Sequence, residues 1–282
     1  MSDYQLVSLA NGGKTLFSAS YGEKMHPGLG PAAEADGLYV RQLRIRQRIQ
    51  QHQGEFVIWD VGLGGAANAI AALRATRDLT GQLRIISFDN TSEPLAFALK
   101  HAAELGYVTG YEPQLAVLLQ AGKAAFDNGS SRLNWEFRLG DFPALLETGP
   151  KSALPPPDAI FYDAFSPAKN PAMWTLPVFT DLYRNLDPKR PCALTTYSRS
   201  TMIRVTLLLA GFFVGVGHAT GMKEETTIAA NTKDLIDELL DARWLERAGR
   251  SDSAEPLRQG GYARAKLSAK TIAELRQRPQ FS

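Results

Sequence analysis

Four acidic residues stand where an apolar run gives way to a turn: Asp60 in WDVGLGGAAN, Asp89 in ISFDN, Asp141 in RLGD and Asp163 in FYDAFSP. In an open α/β sheet, ligands sit outside the carboxyl ends of the strands, so carboxylates in these places can share one site. Asp60 is followed by Gly62, Gly64, Gly65 and Asn68. Such glycines permit a tight strand-to-helix turn and let a ligand approach the backbone, although the same pattern also serves as a purely structural turn. A dinucleotide favours the complete G-x-G-x-x-G spacing, which sets a helix N-terminus against a pyrophosphate. Here the third position is Ala67 or Asn68. An acid before G-x-G-G fits S-adenosylmethionine instead, a cofactor with an amino acid and a ribose but no phosphate. On that reading Asp60 meets an ammonium or hydroxyl group, and Asp89 accepts from the ribose hydroxyls. Asp141 then accepts from the adenine amino group, or is simply a solvated turn residue.

Asp163 is aimed at the place where the methyl group of such a cofactor would lie. Methyl transfer is an in-line displacement at carbon, and an attacking amine must be neutral. A carboxylate can orient the amine and take or relay its proton. The residues after Asp163 support that use: Phe165 can exclude water or pack on a ring, and Pro167 and Pro171 stiffen the loop. Trp174 either stacks on a base or anchors the next helix. The structural alternative for Asp163 is a helix cap or an ion pair.

The elements that must position these residues alternate along the chain. Strand-like runs fall at 55–62, 82–89, 133–141, 158–165 and 191–198, with helix-like runs at 66–79, 92–106, 113–126, 173–186 and 199–211 between and after them. The runs at 212–219 and 223–230 read as a closing antiparallel pair. This order predicts an α/β, Rossmann-like fold: a mostly parallel, seven-stranded sheet with helices on both faces and a closing antiparallel strand. Residues 1–50 form an N-terminal layer on the substrate side, 51–230 the Rossmann-like core, and 231–282 a helical and loop tail.

Composition sets bounds. The chain has 282 residues, 44% hydrophobic and 21% charged, enough for one large domain with an appendage and against bulk disorder. A net charge of +2 permits an anionic partner without demanding one. Cys192 is the only cysteine, so no internal disulfide forms, which fits a reducing cytoplasm. No secretory leader or membrane span is legible. The histidines, His26, His52, His101 and His218, are scattered without metal-ligand spacing, so no metal is expected. Arg41, Arg44, Arg46 and Arg48 have no acid among them. They form either one basic helix face beside the site, suited to RNA phosphates, or a solvated face.

The stretch Asp163-Ala-Phe165-Ser-Pro167-Ala-Lys-Asn170-Pro-Ala-Met-Trp174 resembles the methyltransferase domain of MnmC-type proteins, the bifunctional tRNA 5-methylaminomethyl-2-thiouridine biosynthesis family, and its stand-alone relatives. There a strand-end Asp is followed by Gly-Phe-Ala/Ser-Pro-x-x-Asn-Pro-x-x-Trp. Gly62-Leu-Gly64-Gly65-Ala66-Ala-Asn68 is similar to the family's Gly-Phe-Gly-x-Gly-x-Asn turn. Asp89, Thr196-Tyr197-Ser198 and the segment GMKEETTIA match further family positions, and Tyr21 and Glu34 match its leader. The resemblance spans roughly residues 14–230. It implies S-adenosylmethionine-dependent N-methylation of the aminomethyl group on a tRNA wobble uridine, with Asp163 nearest the amine. Tyr21, Glu34, Phe165, Pro167, Asn170, Trp174 and Tyr197 are then on the substrate side. Two departures stand out: Ala66 replaces a family glycine, and Glu224-Glu225 stand where the family has Arg-Glu. A chain of this length has no room for the family's FAD-dependent oxidase, so the expected substrate already carries a free aminomethyl group. The alternatives are methylation of a small-molecule amine or another RNA and, in a different class, a non-catalytic RNA-binding or scaffolding module. A polyamine-type aminopropyl transferase would want a Gly-Gly-Gly-Asp turn that this chain lacks.

Overall fold

The structure, a computed structural model, describes residues 2–147, 154–219 and 224–281. The chain opens with a small antiparallel sheet of β1 (Tyr4–Ser8), β2 (Lys14–Ser18) and β3 (Glu23–Lys24). Helix α1 (Pro31–Ala35), a π-helical turn (Asp36–Arg41) and α2 (Ile45–Gln51) follow. The central part then runs β4 (Glu55–Val61), α3 (Ala67–Thr76), β5 (Gly81–Asp89), α4 (Glu93–Lys100), α5 (Ala102–Leu105), α6 (Glu112–Ala121), β6 (Lys123–Asn128) and β7 (Ser131–Leu139). It continues through α7 (Phe142–Glu147), β8 (Ala159–Tyr162), α8 (Leu176–Arg184), β9 (Ala193–Thr196), α9 (Thr201–Ala210), β10 (Phe213–Gly217) and β11 (Thr226–Ala230). Two helices, α10 (Ala242–Gly249) and α11 (Ala269–Arg276), complete it.

The main sheet has the order β10-β11-β9-β8-β4-β5-β7-β6. The five inner strands from β9 to β7 are parallel, while β11, β10 and β6 join antiparallel. Strand β4 shows why the inner strands hold the centre. Its run FVIWDV is buried throughout, the signature of a strand covered on both faces. Phe56 and Ile58 join one hydrophobic cluster, and Val57, Trp59 and Val61 join the other. From β4 the chain builds outward to β5 and β7, then returns to place β8 on the other side of β4. That reversal opens a crevice at the carboxyl ends of β4 and β8, the place where ligands bind in this architecture.

The sheet has eight strands rather than the seven expected. The run 113–126 is not one helix. Gly122 stops α6 in the left-handed region (φ 70), with its N–H on Leu118 O at 2.8 Å, a helix stop that glycine favours. Lys123–Asn128 then turns back as an edge strand against β7, because pairing outweighs the weak helical preference of so short a run. The helix expected over 92–106 is likewise broken, at His101. The loop between α10 and α11 carries no regular element but is anchored: Ala254 and Leu257 are buried, and Leu257 O accepts from Leu176 N at 2.7 Å. Gly221, Met222 and Lys223 of the closing segment lie outside the described residues.

The turn from β6 to β7 depends on Gly129, which has φ 66. A Cβ there would stand 2.1 Å from the backbone oxygen of Arg77, an atom that cannot swing aside. Gly129→Ala is therefore expected to lower unfolding stability by at least about 2 kcal/mol, read as a shifted midpoint in urea denaturation with an unchanged slope.

Candidate active site

The carboxyl ends of β4, β5, β7, β8 and β9 open onto one cavity of about 780 Å³, whose other wall is the N-terminal layer from Thr15 to Tyr39. Its size lies within the range of small-molecule sites. Its lining is acidic: Glu23, Glu34, Asp89, Asp141 and Asp163 face Lys24, Arg199 and His26. That balance suits a cationic ligand.

At one end, the turn after β4 brings bare backbone close to the cavity. Gly62 has φ 91, and a Cβ on it would lie 2.7 Å from the Asp163 backbone oxygen. On Gly65 a Cβ would lie 2.5 Å from the Tyr107 hydroxyl, which donates to Gly65 O at 2.9 Å. Asp89 ends β5 and accepts from Gly64 N at 2.9 Å and Thr91 N at 3.3 Å. Burial raises its pKa, against these backbone hydrogen bonds. These backbone donors leave part of the carboxylate's accepting capacity unused. Asp141 lines the cavity while accepting weakly from Ala144 N at 3.4 Å at the start of α7. A glycine cradle between two carboxylates fits the amino acid and ribose of S-adenosylmethionine. Gly62, Gly64, Gly65, Asp89 and Asp141 are the residues that could hold it.

At the other end, Asp163 follows β8 and is clasped by three parts of the chain. Asn68 Nδ2 donates to its Oδ2 at 2.8 Å, and His26 Nε2 lies 3.2 Å from the same oxygen. The Tyr39 hydroxyl stands beside the same carboxylate, its O–H donating to Tyr162 O at 3.5 Å. Burial works to lower the His26 pKa, but Asp163 outweighs it, with Glu34 and Asn68 adding, and the group is pushed up to about 8. Beside Asp163, Tyr21 and Phe165 stack with centroids 4.0 Å apart and planes 16° apart. Glu23 locks the loop below them, accepting from Ser166 N at 3.1 Å and Ser166 Oγ at 2.5 Å. Asn170 lines the cavity, as does Tyr197, whose hydroxyl donates to Ala164 O at 2.9 Å. Glu34 lines it too, while its Oε1 takes Gly28 N at 2.5 Å.

A family profile described as S-adenosyl-L-methionine-dependent methyltransferase matches residues 114–232. The chain is 29% identical over 273 residues to the tRNA 5-methylaminomethyl-2-thiouridine biosynthesis bifunctional protein MnmC of Aeromonas hydrophila, covering 92% of this chain and 40% of that protein. It is 31% identical over 229 residues to the protein of the same name from Ralstonia nicotianae, covering 77% and 33%. The fold matches the crystal structure of MnmC2 from Aquifex aeolicus with a TM-score of 0.72 and 25% identity, across 98% of this chain and 83% of that one. The protein is an S-adenosylmethionine-dependent methyltransferase related to the MnmC enzymes. It spans about 40% of the length of the first of these curated relatives.

Several residues of this methyltransferase sit elsewhere than its sequence suggests. Asp60 does not line the cavity. Strand alternation points it to the face of β4 under α3, where it is fully buried and accepts from Ser87 Oγ at 2.8 Å. Its Oδ1 has no partner among the described residues. Burial pushes its pKa up to about 7, opposed by Ser87 and reinforced by Asp163 and Asp89. Asn68 is also buried off the cavity and acts through Asp163. Pro167 stands outside the wall, within a turn closed by the Ser166 carbonyl on Lys169 N and Asn170 N. Trp174 anchors rather than stacks: it is buried, and its indole N–H donates to Phe165 O at 2.7 Å.

The four arginines do not form a basic face beside the site. A break at Arg44, with φ 52, separates the π-helical turn from α2. Arg41 pairs with Asp36 at 2.8 Å, Arg44 with Asp237, and Arg46 with Asp78 at 2.5 Å. Arg48 donates to Asp158 O at 2.7 Å and Pro191 O at 2.9 Å. Asp158 and Pro191 precede β8 and β9, so Arg48 sits at the end of the sheet opposite the cavity. Ala66 is left-handed at φ 65, which explains why glycine suits that position in the family. Sequence reasoning missed His26, Tyr39 and Glu23, and only the histidine's place in the leader YGEKMHPG hinted at any of them.

Asp60 yields a signed prediction. Its folded pKa near 7 exceeds the ordinary 3.8, so the folded protein holds a proton that the unfolded chain releases, and this group's contribution falls as pH rises through that window. Asp60→Asn should therefore gain stability relative to the parent between acidic and neutral pH, measured as the difference in urea midpoints, with the two converging near pH 4.

Proposed function

We propose that this methyltransferase transfers a methyl group from S-adenosylmethionine to the aminomethyl nitrogen of a tRNA wobble uridine in the cytoplasm. The observation that carries the reading is the Asp163 carboxylate, fixed on Oδ2 by Asn68 and His26 at the strand end that faces the cofactor cradle. Bound cofactor supplies an electrophilic methyl group on a sulfonium. Asp163 would accept a hydrogen bond from the substrate amine, turn the nitrogen lone pair toward the methyl, and stabilise the positive charge that builds on nitrogen as the N–C bond forms and the S–C bond breaks, its electron pair leaving on the neutral thioether. Tyr21 and Phe165 keep water from the reacting atoms. MnmC proteins carry tRNA 5-methylaminomethyl-2-thiouridine biosynthesis in their name, which supports a uridine-borne amine here.

Phosphates would meet the rim of the cavity rather than the arginine run. Lys24 and Arg199 line the cavity and are exposed, Lys169 is exposed with its Nζ beside Gly22 of the wall, and none of the three carries an ion pair among the described residues. Reversing all three to Glu should raise the KM for tRNA at least tenfold, and it should flatten the salt dependence of binding by about 0.7–0.9 in slope per lost contact. A small-molecule amine is the second reading, favoured by the acidic lining and the internally paired arginines.

The test is incubation with S-adenosylmethionine and tRNA bearing 5-aminomethyluridine, followed by nucleoside mass spectrometry. A gain of one methyl on that nucleoside is expected. No gain with intact cofactor binding would move the substrate to another amine. Asp163→Ala should lower the transfer rate about 10²–10⁴-fold while cofactor affinity stays within a few-fold. Asp89→Ala should weaken cofactor binding by about 1.5–3 kcal/mol, the worth of hydrogen bonds to a charged group, as measured by calorimetry.

A further inference from the structure

The clasp around Asp163 includes one group that the transfer step above does not use as an ionisable residue: His26. The N-terminal layer delivers it in a left-handed backbone conformation (φ 52), an uncommon one for a residue with a side chain. Its Nε2 lies 3.2 Å from Asp163 Oδ2 and 3.2 Å from Asn68 Oδ1. Both are acceptors, because Asn68 turns its amide N–H toward Asp163, so Nε2 carries a hydrogen in either charge state. The proton that titrates is therefore the one on Nδ1.

We propose that His26 is the positioning residue of Asp163: Nε2–H holds Oδ2 so that Oδ1 is presented to the amine, and loss of the Nδ1 proton switches the pair from neutral to singly negative without releasing the carboxylate. This rests on the amine-methylation reading. The charged groups that surround His26 are Asp163 after β8, Glu34 on α1 and Asp60 on β4, with the Tyr39 hydroxyl meeting the same carboxylate from the π-helical turn. Burial opposes the imidazolium and Asp163 and Glu34 favour it, which leaves the switch near pH 8. Below that pH the neutral pair attracts a developing ammonium weakly. Above it the full carboxylate charge faces the amine, and transfer is faster.

The test compares the full chain with His26→Gln, whose amide keeps a donor but cannot change charge. Single-turnover transfer to 5-aminomethyluridine tRNA is followed against pH, alongside histidine NMR titration of the free protein and of Asp163→Asn. The wild type should show an enzyme-side step near pH 8. His26→Gln should lose that step, keep only the amine's own titration, and bind cofactor like the wild type. In the NMR titration, one imidazole should have a midpoint near 8 that vanishes in His26→Gln and falls by at least about one unit in Asp163→Asn. A wild-type pH profile in His26→Gln, or a His26 midpoint unmoved by Asp163→Asn, would overturn the proposal. If the wild type methylates no aminomethyl tRNA, the substrate reading fails, and the NMR shift alone decides whether His26 and Asp163 are coupled.

Discussion

A single carboxylate joins the separate parts of this molecule. Asp163 leaves the end of β8, yet its Oδ2 is held by Asn68 from the first turn of α3 and by His26 from the N-terminal layer, with the Tyr39 hydroxyl beside the carboxylate. A partly buried charge is stabilised when it is paired and hydrogen-bonded, so the sheet, the glycine turn and the leader arrive together around it. The N-terminal layer is thus one wall of the site rather than an appendage. Glu23 on Ser166 and the Tyr21–Phe165 stack extend the same closure around the loop that follows Asp163.

The two ends of the sheet divide the labour. At the carboxyl ends stand the carboxylates, the glycine backbone and the rings that line the cavity. At the opposite end, arginines tie strands and helices together: Arg48 bridges the carbonyls before β8 and β9, and Arg190 pairs with the buried Asp158 at 2.5 Å. Asp60 lies between these regimes. It is fully buried, with one oxygen unpartnered among the described residues and its pKa raised to about 7. Such a group costs stability, and costs of this kind gather near functional sites.

Much of this was legible in the sequence, and for definite reasons. β4, β5 and β8 are buried on both faces, so their apolar runs were continuous and their acidic ends stood out. The loop from Asp163 to Trp174 carried enough fixed residue types to suggest a shared origin as well as a chemistry. What failed were features set by distant partners. β6 exists because β7 offers an edge, and its own six residues hold no strong pattern. The arginine run looked unpaired because the acids of Arg44 and Arg46, Asp237 and Asp78, lie far along the chain. Asp60 looked like a strand-end acid, but strand alternation turned it inward. His26 lacked any metal or triad spacing, and only folding the leader over the sheet brings it to Asp163.

The proposed reaction requires Asp163 to face the acceptor nitrogen. The most direct measurement is a crystal structure of the protein with S-adenosylhomocysteine and an oligonucleotide carrying 5-aminomethyluridine. The account predicts the amine within hydrogen-bond distance of Asp163 Oδ1 and in line with the cofactor sulfur, with Oδ2 still held by Asn68 and His26. An amine bound away from Asp163, or a cofactor seated outside the Gly62–Gly65 turn and Asp89, would contradict it.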